Sequence, residues 1–216
     1  ALPVFKPGSN TGQPNLLRIG AATEMIIYLI RHGKTEANEK HLYCGSTDLP
    51  LSNAGKEELQ LLHYDIKNVR FITSGMKRTN ETLQILFGDV SYEVDSRFRE
   101  VDFGIFEMRS YEELKDTPDY QAWLTGDNDV NIPPNGESSL QMKERVLEAF
   151  SEIQEDTCII THGGCIATIM ENLFPGENKN RYEWQPHPGY GYVVHEGTYM
   201  ILMNECFENA HRSSGT

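Results

Sequence analysis

Two histidines stand at equivalent places in the chain. Arg31-His32-Gly33 ends the apolar run Met25-Ile26-Ile27-Tyr28-Leu29-Ile30, and His162-Gly163-Gly164 follows Cys158-Ile159-Ile160-Thr161. Imidazole suits nucleophilic and proton-transfer chemistry near neutral pH. A single histidine after a strand is ordinarily a loop residue of no consequence. Two of them, each followed by a glycine that lets a ligand approach the backbone, are harder to set aside. Ligands of open α/β sheets bind outside the carboxyl ends of the strands, so neighbouring strands would bring both rings into one crevice beside Arg31. Arg78, downstream of the run ending at Thr73, can face the same crevice; alone, it would read as a solvated helix arginine beside Lys77. Glu100 lies in Arg97-Phe98-Arg99-Glu100-Val101-Asp102-Phe103-Gly104, an aromatic-rich stretch where a carboxyl can be partly desolvated. The plain alternative for Glu100 is an ion pair with Arg97 or Arg99.

The elements that must hold these groups follow from periodicity. Met25–Ile30 and Cys158–Thr161 read as strands buried on both faces, and Val69–Thr73 as a third. Val90–Val94 is a short further candidate. Ser52 is the expected N-cap of a helix carrying Leu59, Leu62 and Ile66, and another helix runs through Thr82, Leu83 and Leu86. Two short helices are expected around Tyr111–Leu114 and Asp119–Leu124, a longer one over Glu137–Ile153, and one over Ile166–Leu173. Glu196-Gly197 joins Tyr192–His195 to Thr198–Leu202 as a two-residue hairpin. Strands alternating with helices predict a single α/β domain over 25–204: a mostly parallel central sheet, helices on both faces and an antiparallel edge hairpin. Residues 1–24, interrupted by Pro and Gly, read as a flexible leader, an appended segment with Met25 as the natural start. Residues 205–216 read as a tail.

Composition narrows the partners. Nineteen Lys plus Arg against 32 Asp plus Glu give a net charge of −13, which disfavours nucleic acid and anionic membranes. No apolar run reaches the roughly 20 residues of a membrane helix. The four cysteines (Cys44, Cys158, Cys165, Cys206) show no CxxC pair, so a structural zinc is not expected and reduced thiols in a cytoplasmic protein are. Cys165 does not open a cysteine-phosphatase loop, because Glu171 stands where that chemistry needs arginine. Trp123 and Trp184 are expected to pack, with Trp123 bordering the entrance; His187 and His195 are expected at the surface or sheet edge.

Arg31-His32-Gly33-Lys34-Thr35-Glu36-Ala37-Asn38 resembles the R-H-G-x-T-x-x-N signature of the histidine phosphatase superfamily, which includes the cofactor-dependent phosphoglycerate mutases. The likeness continues in the same order through Tyr43-Cys44-Gly45, Asp48-Leu49-Pro50-Leu51-Ser52, Ser74-Gly75-Met76-Lys77-Arg78, Glu100 before Phe103-Gly104, and Thr161-His162-Gly163-Gly164. The resemblance implies that His32 attacks phosphorus and that Arg31, Arg78 and His162 surround the transferred group. Asn38 and the Gly163 backbone N–H would add donors, and Cys44 and Gly45 would complete the phosphate-binding set. Glu100 would protonate the leaving oxygen and then activate water. No metal and no cofactor is implied; the partner is a small-molecule phosphate ester, with a homodimer through the hairpin edge possible. Gly75 replaces the proline common in the family, and Cys44 stands where a polar side chain is frequent.

A narrower likeness, in Phe103–Arg109, Tyr120-Gln121-Ala122-Trp123 and Ile132–Glu137, is to α-ribazole phosphatases of cobalamin assembly. It implies hydrolysis of α-ribazole 5′-phosphate. Alternatives are a phosphatase of other or broad specificity, a phosphoglycerate mutase, or a non-catalytic phospho-ligand binder. The short span from Met25 to Leu202 favours hydrolysis over the mutase.

Overall fold

A computed structural model describes residues 25–127 and 129–203. The proposed leader and the tail after 204 lie outside the described residues, as does Cys206. Six strands form one mixed sheet in the order β3-β2-β4-β1-β5-β6. At its centre, β1 (Ile27–Arg31) runs parallel to β4 (Thr157–Thr161), with Arg31 opposite Thr161. On the other side of β4 lies β2 (Arg70–Thr73), also parallel, and then β3, which is only Glu93–Val94. β5 (Gly191–His195) pairs antiparallel with β1, and β6 (Thr198–Leu202) pairs antiparallel with β5. Glu196 and Gly197, at φ 48° and 69°, make the left-handed pair that a two-residue hairpin turn requires.

Both faces of the sheet are covered, which is why β4 is buried at every residue. On one face Leu29 and Ile159 pack against Val146 and Phe150 of α6 (Ser139–Ser151) and Ile166 and Met170 of α7 (Gly163–Leu173). On the other, Ile30, Cys158 and Ile160 meet Leu59 of α2 (Asn53–Gln60) and Leu83 of α3 (Lys77–Phe87). Burying each such aliphatic side chain contributes about 1.5–3 kcal/mol. A satellite cluster of Phe106, Leu114 and Tyr120 sits under α4 (Tyr111–Leu114) and α5 (Pro118–Leu124), walled by Tyr43, Phe103 and Trp123. Trp184 is a core residue, 1% exposed, and His187 is exposed.

Three expectations are corrected. The helix capped by Ser52 stops at Gln60 and does not reach Leu62 or Ile66. Leu62, Tyr64 and Ile66 are buried while Leu61, His63, Asp65 and Lys67 are exposed, a period of two that marks extended chain. The Tyr64 hydroxyl fixes that segment by donating to the Gly189 carbonyl at 2.9 Å. α7 begins at Gly163, three residues earlier than expected, with His162 as its N-cap. The short strand candidate Val90–Val94 shrinks to two exposed residues, because β3 is an edge with neighbours on one side only. Among the described residues no helix is long and apolar enough to cross a membrane.

Candidate functional site

The register of β1 on β4 builds the site. Arg31 and Thr161 are opposite partners, so His32 and His162 leave the sheet side by side, tied by the His32 N–H donating to the Thr161 carbonyl at 2.9 Å. Their rings lie 5.1 Å apart at 62°. Both are buried. The His32 Nδ1 is 2.7 Å from the Gly33 carbonyl, which can only accept. Nδ1 therefore carries the proton, and Nε2 presents a lone pair.

His162 is committed differently. Its Nδ1 accepts from Arg78 Nε at 3.3 Å, so the proton is on Nε2, which donates to Ser74 Oγ at 2.9 Å. Ser74 Oγ lies 3.1 Å from Thr79 Oγ1, and that hydroxyl donates to the Met76 carbonyl at 2.8 Å. Both imidazoles are pushed well below their ordinary pKa, first by burial, then by Arg78 and Arg31, with His32 also acting on His162. They are neutral near pH 7.

Two guanidinium groups stand beside the pair. Arg78, 1% exposed in the first turn of α3, donates from Nη1 to the Thr47 carbonyl at 2.8 Å and from Nη2 to the Gly45 carbonyl at 2.7 Å. Arg31 donates from Nη1 to the Pro186 carbonyl at 2.9 Å, while its Nε is buried without a hydrogen-bond partner. A buried donor in that condition costs about 1–3 kcal/mol unless an acceptor reaches it. Glu100 closes the crevice: its Oε2 accepts from the Gly164 N–H at 2.8 Å and its Oε1 from the Val101 N–H at 3.0 Å. A neutral nucleophilic nitrogen, two cations and a carboxyl group thus come together, an arrangement suited to receiving an anion. Among the described residues no group of three or more His, Cys, Asp or Glu is placed to hold a metal ion.

Residues 27–198 match the profile of the histidine phosphatase superfamily (branch 1). The chain belongs to the histidine phosphatase superfamily. Among its relatives, the adenosylcobalamin/alpha-ribazole phosphatase of Escherichia coli K12 is 32% identical over 161 residues, covering 69% of this chain and 79% of that protein. A probable phosphoglycerate mutase GpmB of Serratia proteamaculans is 33% identical over 164 residues, covering 68% and 75%. A phosphoglycerate mutase structure from Thermus thermophilus superposes with a TM-score of 0.66 at 27% identity, covering 83% of this chain and 98% of that one. The structure of a putative alpha-ribazole-5′-P phosphatase from Escherichia coli, at 24% identity and TM-score 0.71 over 85% and 97% of the chains, shares the fold.

The remaining expected site residues of this superfamily member take varied places. Gly163 opens α7 against the Arg31 guanidinium: a Cβ there would stand 3.2 Å from its Cζ. Asn38 spends its Oδ1 on the Thr35 N–H and hydroxyl, both at 3.0 Å, as part of the cap of α1 (Glu36–Glu39). Cys44 is half-buried, its thiol pushed up by burial and opposed by Arg78. Gly45 is engaged on both sides, its N–H with the Glu107 carboxylate and its carbonyl with Arg78. Only glycine fits there, since a Cβ would fall 1.6 Å from the Val101 carbonyl oxygen.

Sequence reasoning did not single out the supports. Arg145 of α6 donates to the carbonyls of Arg97 and Arg99 at 2.7 Å and of Glu100 at 3.1 Å, pinning the loop that carries Glu100. It also pairs with Glu137. Ser74 lies in the block that carries Arg78, but its hydrogen bond with His162, like that of the Pro186 carbonyl with Arg31, is one that no spacing rule reveals.

A Cβ at Gly164 would stand 2.3 Å from Glu100 Oε1, the movable tip of a side chain. Gly164→Ala is therefore expected to displace the carboxyl while sparing the fold. Activity should fall about 10–100-fold with Tm nearly unchanged, and the loss should shrink with an activated aryl phosphate, whose leaving oxygen needs no proton. Equal losses on aryl and alkyl esters would contradict this.

Proposed function

We propose that the protein is a metal-independent phosphomonoesterase working through a phosphohistidine, with α-ribazole 5′-phosphate as its substrate. The observation that carries the reading is the His32 ring: its Nδ1 proton is held by the Gly33 carbonyl, leaving Nε2 unprotonated beside Arg31, whose buried Nε lacks an acceptor. A phosphate monoester is an anion, and a neutral nitrogen attacks it without charge repulsion.

Nε2 of His32 forms the bond to phosphorus as the ester oxygen leaves with its electron pair. Glu100 gives that oxygen a proton. Arg31 and Arg78 stabilise the charge spread over the equatorial oxygens, doing with fixed cations what a metal ion does elsewhere. Asn38 is free to add its amide N–H groups, since its Oδ1 is already occupied. His162 holds Arg78 by Nε and braces the His32 ring. The phosphorylated ring keeps Nδ1–H on the Gly33 carbonyl; water then attacks phosphorus, Glu100 accepts its proton, and Nε2 departs. The substrate assignment is supported by the likeness to the adenosylcobalamin/alpha-ribazole phosphatases.

Phosphate release tests both levels, using α-ribazole 5′-phosphate, 3-phosphoglycerate and sugar phosphates, with and without chelator. The highest kcat/KM is expected on α-ribazole 5′-phosphate, unaffected by chelation. No preference over the sugar phosphates would remove the substrate and leave the phosphatase. Phosphoryl transfer between phosphoglycerate positions without net release would replace hydrolysis by the mutase, the reaction named for the GpmB relatives.

A further inference from the structure

Glu107 lies outside the reacting groups, yet its half-buried carboxylate collects an unusual set of donors. Oε1 accepts from the Gly45 N–H at 2.9 Å, the Ser46 N–H at 3.0 Å and the Phe103 N–H at 3.1 Å. Oε2 accepts from the Gly45 N–H at 3.1 Å, the Thr47 N–H at 3.2 Å and the Thr47 hydroxyl at 2.6 Å. Three consecutive amides of one loop thus converge on one carboxylate. The carbonyls of the first and third of those residues receive both terminal nitrogens of Arg78. The loop is a two-sided bridge, with an anion on its N–H face and a cation on its C=O face.

That arrangement has a mechanical and an electrostatic consequence. Fixing three successive amides removes most of the loop's backbone freedom, so the two carbonyls become a rigid seat for the guanidinium. A carboxylate at the N–H end also polarises the peptide groups and strengthens their carbonyls as acceptors. The anchoring segment is itself secured, with the Met108 N–H donating to the Tyr43 carbonyl at 2.7 Å and the Tyr43 N–H to the Arg109 carbonyl at 3.0 Å.

We propose that Glu107 is a positioning residue for phosphoryl transfer, acting through the Gly45–Thr47 loop to aim Arg78 at the transferred group. This rests on the phosphatase reading above. A displacement of about 1 Å in such a group lowers turnover by about 10²-fold.

The test is a double-mutant cycle between Glu107→Gln and Arg78→Lys, each variant first checked for folding by circular dichroism and Tm. Glu107→Gln, which keeps the shape but turns donors toward amide N–H groups, should lower kcat about 10-fold with little change in KM. Glu107→Ala should lower it about 10²-fold. In the Arg78→Lys background either Glu107 change should cost less than about 3-fold more, because the seat no longer holds the fork it was built for. Full additivity would overturn the proposal, since a merely structural glutamate harms both backgrounds alike. Should Glu107→Ala fail to fold, Glu107→Gln carries the cycle. Calorimetric binding of inorganic phosphate gives a readout independent of turnover. Coupled losses of phosphate binding without any ester hydrolysis by the native enzyme would sink the phosphatase reading and keep Glu107 as the positioner of Arg78. Native hydrolysis with additive losses in both readouts would do the reverse.

Discussion

His32→Ala is expected to lower kcat/KM for phosphate monoesters by at least about 10⁴-fold, since it removes the covalent route rather than weakening it. The accompanying signature is loss of the acid-labile, base-stable phosphoprotein that the native enzyme should form during turnover. A His32→Ala protein that still accumulates phosphoenzyme would assign the nucleophile elsewhere. The ring's environment adds a pH dependence. Burial first, then Arg78 and Arg31, hold both imidazoles well below their ordinary pKa. The unfolded chain therefore takes up these protons near pH 6.5, whereas the folded chain refuses them until lower pH. Stability is fully present above about pH 6.5 and falls by about 1.4 kcal/mol per pH unit for each ring as the pH drops below that. His32→Gln cannot protonate, so its urea-unfolding free energy should decline less steeply than that of the native protein on the acid side. A steeper decline would mean that the folded ring is charged.

The second large effect belongs to Arg31, where stability and function should part. Its guanidinium is desolvated, with Glu100 only partly offsetting that burial, and leaves Nε without an acceptor. Within the free protein it makes one hydrogen bond, to the Pro186 carbonyl. Arg31→Met keeps the hydrocarbon stem and removes the ill-satisfied charge, so Tm should be unchanged or higher. Hydrolysis should nevertheless fall by about 10³-fold, the scale set by removing a preorganised donor from a developing anion. Arg31→Lys should recover part of that, as charge without the fork. A substantial fall in Tm together with modest loss of activity would show that Arg31 serves the fold rather than the anion.

The apolar runs before His32 and His162 read correctly as buried strands because being covered on both faces leaves a continuous hydrophobic signal, while their adjacency comes from the structure. The same logic recovered the hairpin, where Glu196-Gly197 carries its own turn chemistry. Leu59, Leu62 and Ile66 mimic helical spacing past Gln60, where α2 ends; with Tyr64, Leu62 and Ile66 follow the two-residue period of extended chain. Gly163 and Gly164 look like breakers in the sequence, whereas they open α7, crowded by Gln185 and Arg31 at the first and by Glu100 at the second. Arg31, His32, Arg78, Glu100 and His162, expected from strand ends and motif order, do lie near one another. What holds them there was not visible. Glu107 reaches the Gly45–Thr47 loop across about 60 residues, and Ser74 reaches His162 across 88. Carboxylates and hydroxyls at such separations look, in one dimension, like ordinary solvated side chains.

The seam between β1 and β4 joins segments far apart in the chain, with Arg31 opposite Thr161. Neither half alone holds a working set of reacting groups, and no locally folded fragment can acquire one. Turnover is thus a late readout of refolding: it can return only once this distant pairing has closed, after nearby contacts such as those of α2 with α3 have had time to form.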